Sequence, residues 1–161
     1  MAIESSVLLD GIGRKLLAAL QEDARLSYAE LGRRIGLSPA ATAERLRRLE
    51  EVGIVTGYRV EIDREALGLP VLGIVRLSCD GVKYRPFLKA VQAMERVTEC
   101  HHVAGGDAFI LKVVAESVTE LGRVVEKLLD FGVPTTSIVF SSPVARRALR
   151  VGSIVENFPK H

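Results

Sequence analysis

The chain has 161 residues, of which 48% are hydrophobic, 26% are charged and 5% are aromatic. This composition supports a mainly aliphatic core in one ordinary domain or two small ones, and it excludes a wholly disordered chain. The formal net charge of +2 excludes a uniformly basic protein, so any basic surface must be local. No apolar run has the length of a secretory signal or of a membrane-spanning helix, which predicts a soluble, cytoplasmic protein.

Hydrophobic periodicity predicts helices in the first third of the chain. Residues 6–23 carry leucine and isoleucine near helical spacing, although Gly11 and Gly13 weaken the first turn. Ser27 is placed to cap a second helix, and Glu30 follows at the spacing of a capping box. With a third helix, these segments predict a compact three-helix bundle.

The third helix is predicted to begin with Ser38 as its N-cap and Pro39 at the first helical position, where a missing N–H does no harm. The short turn "GLS" separates it from the second helix, which is the turn length of a helix-turn-helix. Small or hydroxylated side chains form its first turn, and arginines follow them. Such a helix is built to lie closely against another surface.

These features predict that the third helix enters the major groove of double-stranded DNA. Small side chains would approach the bases, while the arginines would reach base edges or phosphates. Residues 33–48 hold five arginines against one acid, Glu44, which is a local charge of 5 − 1 = +4. A solvated surface helix remains the alternative interpretation. The predicted DNA contacts are Ser38, Pro39, Ala40, Thr42, Arg45, Arg47 and Arg48, with Arg33 and Arg34 on the preceding helix.

The pattern changes after Gly53, which is predicted to end the third helix. Residues 54–63 alternate loosely and are rich in β-forming side chains, and residues 64–70 end in Gly and Pro as a connector does. We therefore predict a β linker between two domains. The predicted boundaries are 1–60 for the helix-turn-helix domain, 61–70 for the linker, 71–150 for the second domain and 151–161 for a C-terminal tail.

The strand and helix patterns of the second domain predict a ferredoxin-like βαββαβ order, so the predicted fold class is α+β. The predicted elements are strand 71–79, helix 83–97, strand 97–105, strand 108–115, helix 117–132 and strand 135–142. The first and third strands are the most apolar, as expected of central strands. Helices cover only one face of such a sheet, so apolar side chains on both faces predict a second copy of the chain as cover.

The loop after the second of these strands reads "GGDAF". Gly105 and Gly106 let the backbone approach a partner closely or adopt a positive φ. Asp107 supplies a carboxylate placed for an amino group. An ordinary tight turn with Asp as a turn former is the alternative.

Adjacent histidines and two cysteines lie outside these motifs. His101 and His102 point to opposite faces of a strand, so they cannot easily share one metal ion, and no metal site or cofactor is predicted. Cys79 and Cys100 lack a CxxC spacing and are expected to be reduced thiols.

The segments "GLSPAATAERLRRLEEVGIVTGY", "ECHHVAGGDAFILKV" and "TSIV" resemble the Lrp/AsnC, or feast/famine, family of transcription regulators. The resemblance implies DNA binding through the helix-turn-helix, a homodimer formed through the αβ domain, and assembly of dimers into a tetramer or octamer. It also implies an amino acid or related metabolite as effector, bound between dimers near the glycine loop. Carried over, the effector site comprises Gly105, Gly106 and Asp107, with Thr136 and Ser137 from the last strand.

Two other functions stay open at this point. A few decarboxylases of tetrapyrrole biosynthesis resemble the same two-domain architecture, and His101 or His102 would then be catalytic. A stand-alone metabolite-binding module is the other alternative. The enzyme would have little use for arginines beside a slim helix start, and the module would not need residues 1–60. We therefore predict a DNA-binding regulator that is not an enzyme.

Overall fold

The computed structural model describes residues 7–149, which form two compact units. One unit contains the residues up to 60 together with 144–149, and the other contains residues 61–143. Residues 144–149 thus group with the helical unit, although the sequence assigned them to the second domain. The predicted linker boundaries stay predictions, and the predicted tail at 151–161 lies outside the described residues. Within the described range, no helix is long and apolar enough to cross a membrane.

The helical unit contains α1 (Gly11–Glu22), α2 (Tyr28–Ile35) and α3 (Pro39–Glu51). Each begins after a residue whose side chain accepts a hydrogen bond from a backbone N–H three residues later. These caps satisfy N–H groups that have no partner within the helix. The capping residues are Asp10, Ser27 and Ser38, of which the last two were predicted.

A tight turn joins α2 to α3. Gly36 ends α2 in the left-handed conformation at φ 79°, which glycine adopts without strain. Gly32 allows the turn to approach, because a Cβ there would lie 2.5 Å from the Leu37 carbonyl oxygen. The helices then enclose an aliphatic core. Its buried members are Leu8, Leu16, Leu17, Ala19, Leu31, Ile35, Leu46 and Leu49.

The described part of the second unit contains an antiparallel four-stranded sheet with the order β2-β3-β1-β4. This confirms the predicted topology, with β1 and β3 in the centre. The elements in chain order are β1 (Val71–Cys79), α4 (Gly81–Val91), β2 (Val97–His102), β3 (Phe109–Ala115), α5 (Val118–Leu128) and β4 (Gly132–Ile138).

Several element ends differ from the prediction. The helix predicted to 97 ends at Val91, and the helix predicted to 132 ends at Leu128. Gly132 is the first residue of β4 rather than a helix stop. A Cβ at Gly132 would lie 1.9 Å from the backbone oxygen of Ser78, so the glycine permits close pairing of β4 with β1.

The segment that follows α3 was predicted as a β linker. In the structure, residues 56–63 form neither a helix nor a strand, so this part of the prediction is wrong for the single chain. A strand requires a neighbouring strand, and within one chain this segment pairs with none of the four described strands. Its apolar side chains, including Val60 and Ile62, are exposed.

The two faces of the sheet have different surroundings. One face packs with Phe87 of α4 and with Leu121 and Leu128 of α5 in a continuous core. The other face, which we call the open face, carries both apolar and cationic side chains on the central strands. From the strand register, these are Leu72, Ile74, Arg76, Ile110, Lys112 and Val114.

Candidate nucleic-acid interface and effector loop

The first turn of α3 is exposed along Ser38, Pro39, Ala40 and Ala41. The Ser38 hydroxyl accepts a hydrogen bond from the Ala41 N–H at 3.2 Å and so caps this turn. The small side chains leave the helix backbone accessible. This geometry suits close approach to the floor of a groove.

Thr42 does not belong to this exposed turn. Its side chain is fully buried, and its hydroxyl donates to the Ser38 carbonyl oxygen at 2.9 Å. The hydroxyl also faces Gly32 of α2, where a Cβ would lie 2.9 Å from it. Thr42 therefore packs between α3 and α2, and this burial conflicts with the predicted contact of Thr42 with DNA.

Four exposed arginines lie on α2 and α3, and each is paired with a carboxylate. The side chains of Arg33, Arg34, Arg47 and Arg48 are 74%, 39%, 55% and 61% exposed. Glu30 pairs with Arg33 and Arg34, and Glu22 adds a second partner for Arg34. Glu44 pairs with Arg47 and Arg48. Arg47 also pairs with Glu51.

Arg45 occupies a different position. Its side chain is only 21% exposed, and its Nη2 pairs with the Asp10 carboxylate at the start of α1. The same nitrogen lies 3.4 Å from the Leu8 carbonyl oxygen. Arg45 therefore points toward α1, not toward the surface that holds Arg47 and Arg48. The prediction that Arg45 reads base edges conflicts with this placement.

The local positive charge counted along the sequence is neutralised in the structure by carboxylates from elsewhere in the helical unit. Five guanidiniums, including that of Arg45, face five carboxylates, so the predicted +4 becomes 5 − 5 = 0. Four of these carboxylates lie outside residues 33–48, which is why the window count missed them. The acids outside the window are Asp10, Glu22, Glu30 and Glu51.

These pairs keep the surface ionised well below neutral pH. Hydrogen bonds from Arg47 and then Arg48 lower the pKa of Glu44 from 4.5 to about 2. Hydrogen bonding from Arg33 likewise lowers the pKa of Glu30. The cations are thus held in place by exposed carboxylates.

Two residues that the sequence analysis did not single out support this region. Gly32 makes room for the turn and for Thr42, and a glycine inside a helical pattern was the available signal. The Tyr58 hydroxyl donates to Glu50 at 2.8 Å, which ties the segment after α3 to that helix. Burial and this hydrogen bond raise the pKa of Tyr58 to about 12.

The glycine loop joins β2 to β3. Gly105 adopts φ 133°, and a Cβ at Gly105 or Gly106 would meet no heavy atom within 4 Å. The loop is closed by a hydrogen bond from the Val103 N–H to the Ala108 carbonyl oxygen at 3.0 Å. Asp107 is half-buried, and no other residue in the range 7–149 forms a hydrogen bond or ion pair with its carboxylate. The loop therefore offers open space, backbone groups and an uncompensated carboxylate.

Thr136 and Ser137 do not join this loop within one chain. They lie on β4, at the opposite edge of the sheet from β2, about 14 Å away across three strand spacings. Thr136 pairs with Val75 and Ser137 with Ile74, so their side chains lie on opposite faces. One copy of the chain cannot bring all five predicted effector residues together.

The histidines lie on opposite faces of β2, as predicted. The His102 ring contacts Tyr84 and Phe109, with centroid distances of 5.1 and 5.2 Å. His101 lies beside Glu99, with Nε2 and Oε2 3.4 Å apart. Across residues 7–149 there is no group of three or more side chains that could hold a metal ion. Cys79 and Cys100 are free thiols.

Known proteins match both units. The AsnC-type helix-turn-helix domain matches residues 9–50, and the Lrp/AsnC ligand binding domain matches residues 72–149. The chain is 36% identical over 133 residues to the HTH-type transcriptional regulator LrpC of Bacillus subtilis, which covers 83% of this chain and 92% of the relative.

Solved structures are similar over nearly the same extent. A transcriptional regulator of Neisseria meningitidis in complex with L-methionine matches with a TM-score of 0.84 and 25% identity, covering 90% of this chain and 98% of that one. A feast or famine regulatory protein of Mycobacterium tuberculosis complexed with L-methionine matches with a TM-score of 0.80 and 30% identity, covering 86% and 97%.

Proposed function

Because the chain belongs to the Lrp/AsnC family of transcriptional regulators, we propose that it reads a specific DNA sequence through α3 and that an amino acid tunes this binding. Its relatives are regulators with a helix-turn-helix domain, so the chain is not an enzyme and the decarboxylase alternative is set aside. The observation that carries the proposal is the exposed, capped first turn of α3. A regulator acts where the chromosome lies, which supports a cytoplasmic location.

The proposed DNA surface combines this turn with the exposed arginines. Ser38, Pro39 and Ala40 approach the base edges, since their side chains are small and exposed. The contacts to phosphate come from Arg33 and Arg34 on α2 and from Arg47 and Arg48 on α3. Exposed ion pairs contribute little, whereas phosphate contacts gain from counterion release, so exchanging carboxylates for phosphates is favourable.

The proposed effector is an amino acid bound at Gly105, Gly106 and Asp107. The Asp107 carboxylate would pair with the α-ammonium group, and backbone N–H groups of the loop would bind the α-carboxylate. Two structurally similar regulators are bound to L-methionine, which supports an amino acid as ligand class. Thr136 and Ser137 could contribute only from another copy of the chain.

We also propose a homodimer that assembles further into a tetramer or octamer. The open face carries Ile74 and Ile110, which are only partly buried in one chain and favour burial against a second sheet, beside Leu72 and Val114, which are already buried. Arg76 is exposed on the same face and would need an acceptor from the partner. A dimer would present two α3 helices to the two half-sites of a pseudo-palindrome.

A selection from a pool of random duplexes tests the proposed DNA reading. The full chain should enrich one pseudo-palindromic sequence. The variant Ala40→Glu, which places a carboxylate in the proposed groove contact, should lose this sequence. The control Ala18→Glu, on the exposed side of α1, should retain it. Enrichment of the same sequence with unchanged affinity by Ala40→Glu would contradict the proposal, and amino-acid binding without any DNA enrichment would favour the metabolite-binding module.

A further inference from the structure

Arg45 differs from the other arginines of α3 in what surrounds it. Positions 42, 45, 46 and 49 follow helical spacing, and Thr42, Leu46 and Leu49 are buried. Arg45 therefore lies beside the packed side of the helix. Its Nε is buried and has no hydrogen-bond partner among residues 7–149, so this nitrogen is shielded from water.

Asp10 serves two helices at once. Its Oδ1 accepts a hydrogen bond from the Gly13 N–H at 2.8 Å and caps α1, and the same oxygen pairs with Arg45 Nη2. The hydrogen bond from Gly13, and then the contact with Arg45, lower the pKa of the Asp10 carboxyl against the opposing effect of desolvation. The start of α1 is thereby joined to the middle of α3.

Gly13 provides the space in which this junction forms. A Cβ at position 13 would lie 1.8 Å from the Leu8 carbonyl oxygen, which real atoms do not permit. The same Cβ would lie 3.5 Å from Arg45 Nη2. Any other residue at position 13 would displace the Leu8 carbonyl, which is one of the groups that contact Arg45.

We propose that Asp10 and Arg45 form a clamp that positions α3 against α1 for DNA binding, and that Arg45 is a positioning residue with no DNA contact. This inference rests on the proposed DNA surface, since the clamp acts by orienting the first turn of α3 and the exposed arginines. Its partners are 35 residues apart in the chain, so the pair fixes tertiary geometry rather than helix formation. Breaking the pair leaves a partly desolvated charge without its partner.

A rival role for Arg45 predicts the opposite effect of one substitution. If Arg45 contacted phosphate, removing the Asp10 charge would release the guanidinium and raise DNA affinity. If Arg45 positions α3, removing that charge lowers affinity. Asp10→Asn is suited to this comparison, because asparagine keeps the capping oxygen for α1 while it removes the charge.

The experiment measures binding to a duplex selected by the wild-type protein, across a range of salt concentrations and well below the thermal midpoint of every variant. Asp10→Asn and Arg45→Ala should each weaken binding by about 5- to 30-fold, the scale of coupling between contacting residues, and the double variant should be no weaker than the single ones. The slope of affinity against salt should not change. Arg48→Ala, a matched exposed arginine, should lower that slope by about 1.

Higher affinity in Asp10→Asn, or a flatter salt slope in Arg45→Ala, would overturn the clamp. Equilibrium unfolding of the same variants keeps the inference testable without DNA, since the two substitutions should be non-additive in unfolding free energy as well. Additive losses there would also overturn it. If no duplex is selected at all, the proposed function fails, while the unfolding cycle still decides whether Asp10 and Arg45 are coupled.

Discussion

Arg47 donates two hydrogen bonds to the carboxylate of Glu44, from Nε at 3.0 Å and from Nη2 at 2.8 Å. Both side chains are about half exposed and lie three residues apart on α3. Arg48 donates to the same carboxylate at 2.9 Å. Glu44 therefore preorganises the two exposed arginines of α3, Arg47 and Arg48, and it would compete with any phosphate that approaches them.

Removing the Glu44 carboxylate, which competes with phosphate for Arg47 and Arg48, should strengthen binding to selected and scrambled duplexes alike. Glu44→Gln weakens the hold on Arg47 and Arg48, so affinity for every duplex should rise by roughly 2- to 5-fold, the scale of exposed ion pairs. Fluorescence anisotropy with selected and scrambled duplexes at fixed salt measures the change. The control Glu120→Gln loosens a comparable pair with Arg123 in the other unit and should leave affinity unaltered. A gain confined to the selected duplex would show that Glu44 takes part in base reading.

Glu44 should also titrate at unusually low pH. Its pKa of about 2 lies below the ordinary value of 4.5. The ion pairs therefore contribute stability above pH 4.5 and lose that contribution as the pH falls toward 2. Carboxyl-resolved NMR should place the midpoint near 2 in the wild type. In Arg47→Ala the midpoint should move up toward 4.5, and an unmoved midpoint would mean that Arg47 does not set it.

Two glycines of the second unit should respond oppositely to alanine. Gly132→Ala should destabilise by about 1–3 kcal/mol, because its Cβ would overlap the Ser78 carbonyl. Gly122→Ala should stabilise by about 0.5–1 kcal/mol, since Gly122 is exposed in α5 with no heavy atom within 4 Å of its Cβ. Urea unfolding of the two variants measures both signs. Equal effects would mean that β4 does not require close pairing at Gly132.

The open face should control dimer formation. Ile74→Glu replaces a partly buried apolar side chain at the centre of this face, opposite Lys112, by a carboxylate, and should shift the protein to monomers in sedimentation velocity at micromolar concentration. The control Val118→Glu changes an exposed apolar residue of α5, at 58% exposure, and should leave the assembly as in the wild type. An unchanged assembly in Ile74→Glu would place the dimer interface elsewhere.

Local signals were sufficient to predict most of the fold. Ser38 with Pro39 at a helix start and Gly36 at a helix end act through adjacent backbone groups, so their positions along the chain carry the information. The βαββαβ order followed in the same way from alternating patterns. Gly132 was misassigned because a glycine that stops a helix and one that permits close strand pairing look the same in sequence.

The candidate site was less predictable, because its geometry depends on contacts between distant residues. Arg45 and Thr42 are residue types that often contact DNA. In the structure, however, Arg45 pairs with Asp10, and Thr42 packs against Gly32 inside the helical unit. Glu22 pairs with Arg34 across 12 positions, outside any window centred on the arginines. Helical spacing shows that Arg45 lies beside the buried side of α3 and Arg47 on the exposed side, but only after the buried residues of α3 have been identified.

The most direct test of the account is a titration of the selected duplex with wild-type protein and with Asp107→Ala, each with and without every amino acid in turn. At least one amino acid should change the affinity of the wild type by about 5- to 150-fold, the usual range of coupling between sites. Asp107→Ala should bind the duplex as the wild type does without ligand, and it should lose the response. Asp130→Ala, which removes an exposed acid of the same unit, should keep the response. If no amino acid alters the affinity of the wild type, or if Asp107→Ala still responds fully, the proposed effector site is contradicted.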